Sequence, residues 1–258
     1  MFEYPEFLSP VAFSFLGFGI RWYSLAYISG FLYFYFFLKK HLEYFKLNKK
    51  QLDDLFFYIF MSVILGGRLG YIVFYNLSYY LDYPLEILKI WEGGMSFHGA
   101  LLGIIIGVIL FCKKNNSSIL IMADLGGLTT PFGIFLGRIA NFLNQELVGR
   151  KTDFFISIRY PNEEIYRHLS QIYEALLEGF IPFIILTILH FKFKLKSGIL
   201  GAIFLINYGV VRFLIEFLRQ PDVQVGLKFN YFSQGQILSL PMLIGGVVLL
   251  TYVFRKKN

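Results

Sequence analysis

Apolar residues in this chain are gathered into long runs separated by short polar connections. Runs long enough to cross a bilayer, at about 20 residues for about 30 Å of hydrocarbon, lie near residues 18–38, 54–76, 95–112, 119–139, 172–191, 199–218 and 235–254. The third is the shortest and begins among glycines, and the fifth carries Glu174 and Glu178. The pattern predicts an all-α fold: an integral membrane bundle of seven transmembrane helices. No low-complexity tract or linker divides it, so residues 1–258 read as a single polytopic membrane domain. The polar and aromatic segment 140–171 is expected to form a small cap outside the bilayer. Glu3 and Glu6 precede the first run and no basic residue occurs before Arg21, so that run is expected to stay in the mature chain rather than be cleaved as a signal peptide.

Composition sharpens this. The 258 residues are 56% hydrophobic and only 16% charged, with a mean hydropathy of +0.59. Soluble domains run at about 45–50% apolar and about 25% charged, so a water-soluble globular protein is excluded. The net charge of +7 would suggest nucleic acid on a soluble chain; here it reports topology. One set of connections holds Lys39, Lys40, Lys46, Lys49, Lys50, Lys113, Lys114, Lys192, Lys194, Lys196, Arg255, Lys256 and Lys257. The opposite set holds only Lys89, Arg150, Lys151, Arg159, Arg167, Arg219 and Lys228. The alternation puts the C-terminus in the cytoplasm and the N-terminus outside. The lone Cys112, beside Lys113 at a cytoplasmic span end, excludes a disulfide framework and reads as inert. His41, His98, His168 and His190 form no HExxH pair, and neither a P-loop nor a GxGxxG motif occurs, so no metal or organic cofactor is indicated.

The remaining basic residues, Arg21, Arg68, Arg138 and Arg212, fall at or within membrane depth. At about 1.5 Å of rise per residue, Arg68 and Arg212 lie about 20 Å from the cytoplasmic ends of their spans, Glu216 about 26 Å and Arg138 about 28 Å. Tyr23, His98, Glu174 and Glu178 fall within the first turns of spans descending from outside, so all share the outer half of the membrane. Intramembrane charge costs several kcal/mol unless it is paired or wet, which makes each such group a functional candidate. Arg212 and Glu216, four residues apart, could neutralise each other; Arg68 and Arg138 have no evident partner in sequence. Gly93, Gly94, Gly99 and Gly103 around His98 fit either irregular chain beside a cavity or small residues at a helix crossing. Arginines in excess of matched carboxylates point to an anionic ligand, for which the planar guanidinium fork suits phosphate. A phospholipid headgroup is the simplest candidate. An enzyme acting on lipid, a transporter of an organic anion and a structural scaffold all remain open on these grounds. The short strings Gly-Gly-Arg-Leu-Gly at 66–70 and Leu-Gly-Arg-Ile-Ala at 136–140 are too brief to establish a repeat.

The segment Gly137-Arg138-Ile139-Ala140-Asn141-Phe142-Leu143-Asn144-Gln145-Glu146-Leu147-Val148-Gly149-Arg150 resembles the signature of bacterial prolipoprotein diacylglyceryl transferases. Gly93 to Gly99, Ser170 to Glu174, and Tyr208 through Arg212, Glu216, Arg219, Gln220 and Pro221 to Asp222 match in order, as do Gly66-Gly67-Arg68 and Trp22-Tyr23. The likeness covers nearly the whole chain. Gln145 stands where the family usually has Gly, Leu169 where Pro commonly follows the His, and Ala100 where a second Gly is common. The resemblance implies a seven-helix inner-membrane enzyme without a cofactor, with a periplasmic N-terminus and a cytoplasmic C-terminus. Its implied partners are phosphatidylglycerol and prolipoprotein signal peptides bearing a lipobox cysteine, and no nucleic acid. It would move the diacylglyceryl group to that thiol and release glycerol 1-phosphate, the first step of lipoprotein maturation. The implied catalytic residues are His98 as base with Arg138 and Arg212 on phosphate. Substrate binding would involve Arg138, Tyr23, Arg68, Asn141, Glu146, Gly149, Arg150 and Glu216.

Overall fold

A computed structural model describes residues 1–15, 18–221, 227–228 and 231–256; Asp222 and Lys257 lie outside the described residues. The chain is mostly helical and forms two compact units, one of residues 1–36 with 123–258 and the other of residues 37–122.

The smaller unit is built on two antiparallel helices. Helix α1 (Trp22–Lys40) runs into it from the larger unit, and α2 (Lys49–Tyr75) follows, opened by a capping box in which Asn48 and Gln51 each receive the other's backbone N–H. A short α3 (Leu77–Asp82) and two 3-10 turns, Pro84–Leu88 and Ile90–Glu92, lead to α4 (Phe97–Asn115), capped by Ser96. Small residues at every fourth position line the α2–α4 contact: Ser62, Gly66 and Gly70 face Gly99, Gly103 and Gly107. A Cβ on Gly103 would lie 2.3 Å from the Ser62 carbonyl oxygen, and one on Gly70 2.5 Å from the Gly99 Cα. Between apolar helices in lipid, such close backbone approach replaces the hydrophobic drive that water would supply. The glycines after His98 are therefore helix-crossing residues, the second of the two readings open in sequence.

The larger unit holds α5 (Ile119–Leu143), then α6 (Ser170–Glu174), a π-helical turn (Ala175–Phe180) and α7 (Ile181–Lys192) as one continuous helical run, then α8 (Ile199–Ile215) and α9 (Gln234–Arg255). The π turn has a local cause: Pro182 has no N–H for the Glu178 carbonyl, and in a regular α-helix its ring would clash with that oxygen. Helices α8 and α9 approach closely at Gly209, where a Cβ would lie 2.8 Å from Leu243, and at Gly246 against Ile206. Helix α8 starts with an unusual cap from another helix. The buried Asp124 carboxylate of α5 accepts the N–H groups of Gly198 at 2.6 Å and Gly201 at 3.0 Å, donors that the helix cannot satisfy internally. Asp124→Ala is expected to cost about 2 kcal/mol, read as a lower thermal unfolding midpoint in detergent.

Short strands occupy segments outside the long helices. Strand β1 (Phe2–Glu3) pairs in parallel with β4 (Ser157–Arg159), which pairs antiparallel with β5 (Arg167–His168). Strands β2 (Val11–Phe15) and β3 (Phe18–Arg21) form a hairpin, as do β6 (Leu227–Lys228) and β7 (Phe232–Ser233). The first apolar run therefore enters helix at Trp22 rather than at residue 18, and Arg21 is exposed at the end of β3.

Five helical stretches among the described residues are long and apolar enough to cross a membrane: Lys49–Tyr75, His98–Asn115, Ile119–Leu143, Ser170–Lys192 and Gln234–Arg255. Ile199–Ile215 is apolar but shorter. Helix α1 coincides with the remaining run, but Trp22, Tyr23, Tyr27, Tyr33 and Tyr35 lower its hydropathy. Helix thus occurs at all seven apolar runs, while length and composition alone qualify five.

Candidate active site

In the larger unit, α5, the α6–π–α7 run and α8 bring an arginine–carboxylate cluster together. Arg138 places Nη1 3.0 Å from Glu174 Oε2 and donates Nε and Nη2 to Glu178 Oε2 at 3.3 and 3.1 Å. Arg212 donates Nη1 to Glu174 Oε1 at 2.6 Å and lies 2.8 Å from Glu216 Oε2 through Nη2. Arg219 Nη1 completes the set at 3.4 Å from Glu174 Oε1. The two residues that appeared mutually neutralising in sequence, Arg212 and Glu216, do pair. The expectation that Arg138 lacks acidic partners is overturned: Glu174 and Glu178, on a helix far away in sequence, supply them. Three guanidinium groups meet three carboxylates, so the excess of positive charge inferred from sequence does not exist within this cluster.

The two charge types differ in depth. The Glu174 and Glu178 side chains are fully buried, whereas Arg138 and Arg212 keep 15% and 11% of their side-chain surface accessible. Glu174 and Glu178 are therefore more deeply buried than the two arginines they pair with. A guanidinium has five N–H donors, and these ion pairs leave both arginines with donors for an incoming oxyanion.

The loop after α5 is fastened to this cluster. Asn141 is buried at the end of α5, and its carbonyl accepts the Glu146 N–H at 2.9 Å. Gln171, fully buried one turn before Glu174, donates to the Glu146 carbonyl at 2.8 Å and bonds reciprocally with the Tyr160 hydroxyl. Burial pushes the Tyr160 phenol up to about 12, so it remains a neutral donor. The Glu146 side chain is exposed, 3.4 Å from Asn144 Nδ2. Gly149 is required by space: a Cβ there would lie 2.2 Å from the His168 carbonyl oxygen. Arg150 donates Nε to the Arg219 carbonyl at 3.0 Å, tying the loop to the segment that follows α8. Burial lowers the His168 imidazole below its usual range, keeping it neutral at pH 7.

Gln145, where the resembling family usually has Gly, adopts φ +56°, and Leu147 does the same. The left-handed region is costly for any side chain with a Cβ, by about 1–2 kcal/mol. Gln145→Gly is accordingly expected to stabilise the protein by about 1 kcal/mol, visible as a higher unfolding midpoint with the fold unchanged.

Tyr23 begins α1 half-buried, with its ring 5.2 Å from that of Tyr27. In the smaller unit, His98 lies half-buried in the first turn of α4. Arg68, expected to take part in substrate binding, has its guanidinium on backbone carbonyls. Its Nε donates to the Ile87 carbonyl at 2.9 Å, Nη1 to those of Gly93 and Gly94 at 2.7 and 3.3 Å, and Nη2 to that of Glu86 at 2.6 Å. It is buried with Tyr80 beneath its guanidinium and borders a cavity of about 100 Å³ lined also by Tyr71, Tyr79 and Glu92. Arg68 thus organises the turn that leads into the His98 helix. Gly93 and Gly94 sit at φ +89° and +76° in that turn.

In sequence, Glu174 and Glu178 stood among the intramembrane candidates and Gln171 and Arg219 among the matching segments, but none of the four had an assigned role, and Tyr160 was not placed at the site. The available signal was the Glu174/Glu178 spacing of four inside an apolar span, which puts both carboxyls toward one side.

Residues 10–252 match a family model described as prolipoprotein diacylglyceryl transferase. The chain is 49% identical over 244 residues to the phosphatidylglycerol--prolipoprotein diacylglyceryl transferase of Ehrlichia canis, covering 93% of this chain and 94% of that protein. The Ehrlichia ruminantium enzyme of the same name is 46% identical over 248 residues, and that of Rickettsia felis 44% over 248, each covering 94% of this chain and 96% of the relative.

Proposed function

Since the chain belongs to the prolipoprotein diacylglyceryl transferase family, we propose that it is a transferase moving the diacylglyceryl group of phosphatidylglycerol onto a prolipoprotein. The acceptor is the thiol of a lipobox cysteine, and glycerol 1-phosphate leaves. The enzyme works in the bacterial inner membrane as one polytopic domain of seven spans, with 140–171 as a periplasmic cap, the N-terminus periplasmic and the C-terminus cytoplasmic. What carries the reading is the intramembrane cluster in which Arg138 and Arg212, with 15% and 11% of their side-chain surface accessible, pair with the fully buried Glu174 and Glu178. A scaffold would also pair its buried arginines, but the family match over residues 10–252 weighs against that reading.

In the reaction, the thiolate sulfur attacks the glyceryl carbon bearing the phosphate. The carbon–oxygen bond breaks and its electron pair goes to the departing phosphate oxygen. Arg138 and Arg212 hold the phosphate and stabilise the charge gathering on it, an electrostatic effect that grows as water is excluded. Glu216 orients Arg212. His98 takes the thiol proton. Arg68 organises the turn before His98, and Asn141, Glu146, Gly149 and Arg150 shape the loop at the phosphate. Tyr23 stands at the entrance of the first span. No metal or organic cofactor takes part.

Phosphatidylglycerol labelled in its headgroup glycerol tests this directly. Purified protein should release labelled glycerol 1-phosphate only when a lipobox peptide with a free cysteine is present. Release without peptide, or none with it, would count against transfer.

A further inference from the structure

Glu174 is in contact with all three arginines of the cluster. Its Oε2 meets Arg138 at 3.0 Å, while Oε1 meets Arg212 at 2.6 Å and Arg219 at 3.4 Å. Glu178 lies 3.1 Å from Arg138 but 3.9 Å from the nearest Arg212 nitrogen, and Glu216 pairs with Arg212. The two oxygens of Glu174 therefore hold the α5 and α8 arginines on either side of one carboxyl group. The side chain is fully buried, and the preceding turn is locked by Gln171 on the Glu146 carbonyl. Glu174 cannot reorient without breaking several charge-assisted contacts.

Resting on the transferase reading, we infer that Glu174 is a positioning residue that sets the spacing of Arg138 and Arg212 so that both guanidinium groups reach the same phosphate in the transition state. A residue that only balanced charge would be replaceable by any carboxylate of the same sign. A spacer is not, because its reach is the property in use. Asp at 174 preserves the charge but shortens the reach by one carbon–carbon bond, about 1.5 Å. Displacements of about 1 Å in a site of this kind can lower rates by about 100-fold.

The test measures kcat and KM for phosphatidylglycerol in purified wild type, Glu174→Asp and Glu174→Gln, with thermal unfolding monitored in parallel. Glu174→Asp is expected to lose about 100-fold in kcat with KM changed less than about threefold. Glu174→Gln should lose at least as much kcat, since its amide can accept from one arginine but must present N–H to the other. Full activity in Glu174→Asp would overturn the spacing role and leave charge balance alone. A loss confined to KM in either variant would overturn it as well. If Glu174→Gln does not fold, Glu174→Asp decides by the same criteria; if it does not fold either, the role is structural and the proposal falls. Wild-type protein that fails to transfer diacylglyceryl would refute the transferase reading itself, whereas active wild type with unimpaired variants would refute only the assignment of Glu174.

Discussion

Arg138→Lys is expected to lower diacylglyceryl transfer by about 100- to 1,000-fold, the range seen when one preorganised donor to a developing anion is removed. Lysine keeps the positive charge, so net electrostatics barely change. What it loses is the planar fork. Arg138 uses Nε and Nη2 on Glu178 and Nη1 on Glu174, and the remaining N–H groups of its two Nη atoms are the donors proposed for phosphate. A single ammonium presents three donors from one point and cannot satisfy two buried carboxylates and a phosphate in the same geometry. The loss should appear in kcat, because the phosphate charge that needs the fork develops as the bond to the glyceryl carbon breaks. Headgroup release under saturating phosphatidylglycerol measures it, with thermal unfolding to confirm that the variant is folded. Full transfer by Arg138→Lys would mean that bidentate recognition is wrong.

His98→Gln should be comparably damaging. Loss of a positioned general base typically costs about 100- to 10,000-fold. Glutamine fills similar space and can hydrogen-bond, so packing at the start of α4 should survive while proton acceptance is lost. The residual rate should rise with pH across about pH 6 to 9, as solution thiolate replaces enzyme-assisted deprotonation. Near-normal turnover across that range would remove His98 from the mechanism and leave thiol activation to the arginines.

Helix positions were readable from hydropathy because crossing a bilayer demands length and apolarity and little else. The first run shows where that logic stops: Phe18–Arg21 is apolar enough to extend a span, yet it pairs with Val11–Phe15 as a hairpin, and a short apolar run does not distinguish strand from helix. Arg212 and Glu216 were legible because the helix itself sets their separation. The partners of Arg138 were not, because Glu178 is 40 residues away and only tertiary packing decides which carboxylate faces which arginine. Arg68 illustrates a deeper blind spot. Its partners are backbone carbonyls of a turn held partly by Gly93 and Gly94, and side-chain types alone say nothing about where carbonyls point. The family signature located the end of α5 and the loop after it, 137–150, without explaining it; Gly149 against the His168 carbonyl and the left-handed Gln145 supply part of the physical reason.

The mass of a lipobox cysteine peptide after incubation with the purified protein and phosphatidylglycerol decides whether the protein is a diacylglyceryl transferase. A gain of one diacylglyceryl group on the cysteine sulfur is expected, dependent on a free thiol and lost in Arg138→Lys. An unmodified peptide, with the same preparation instead moving an anionic lipid across the bilayer, would contradict it and favour a transporter.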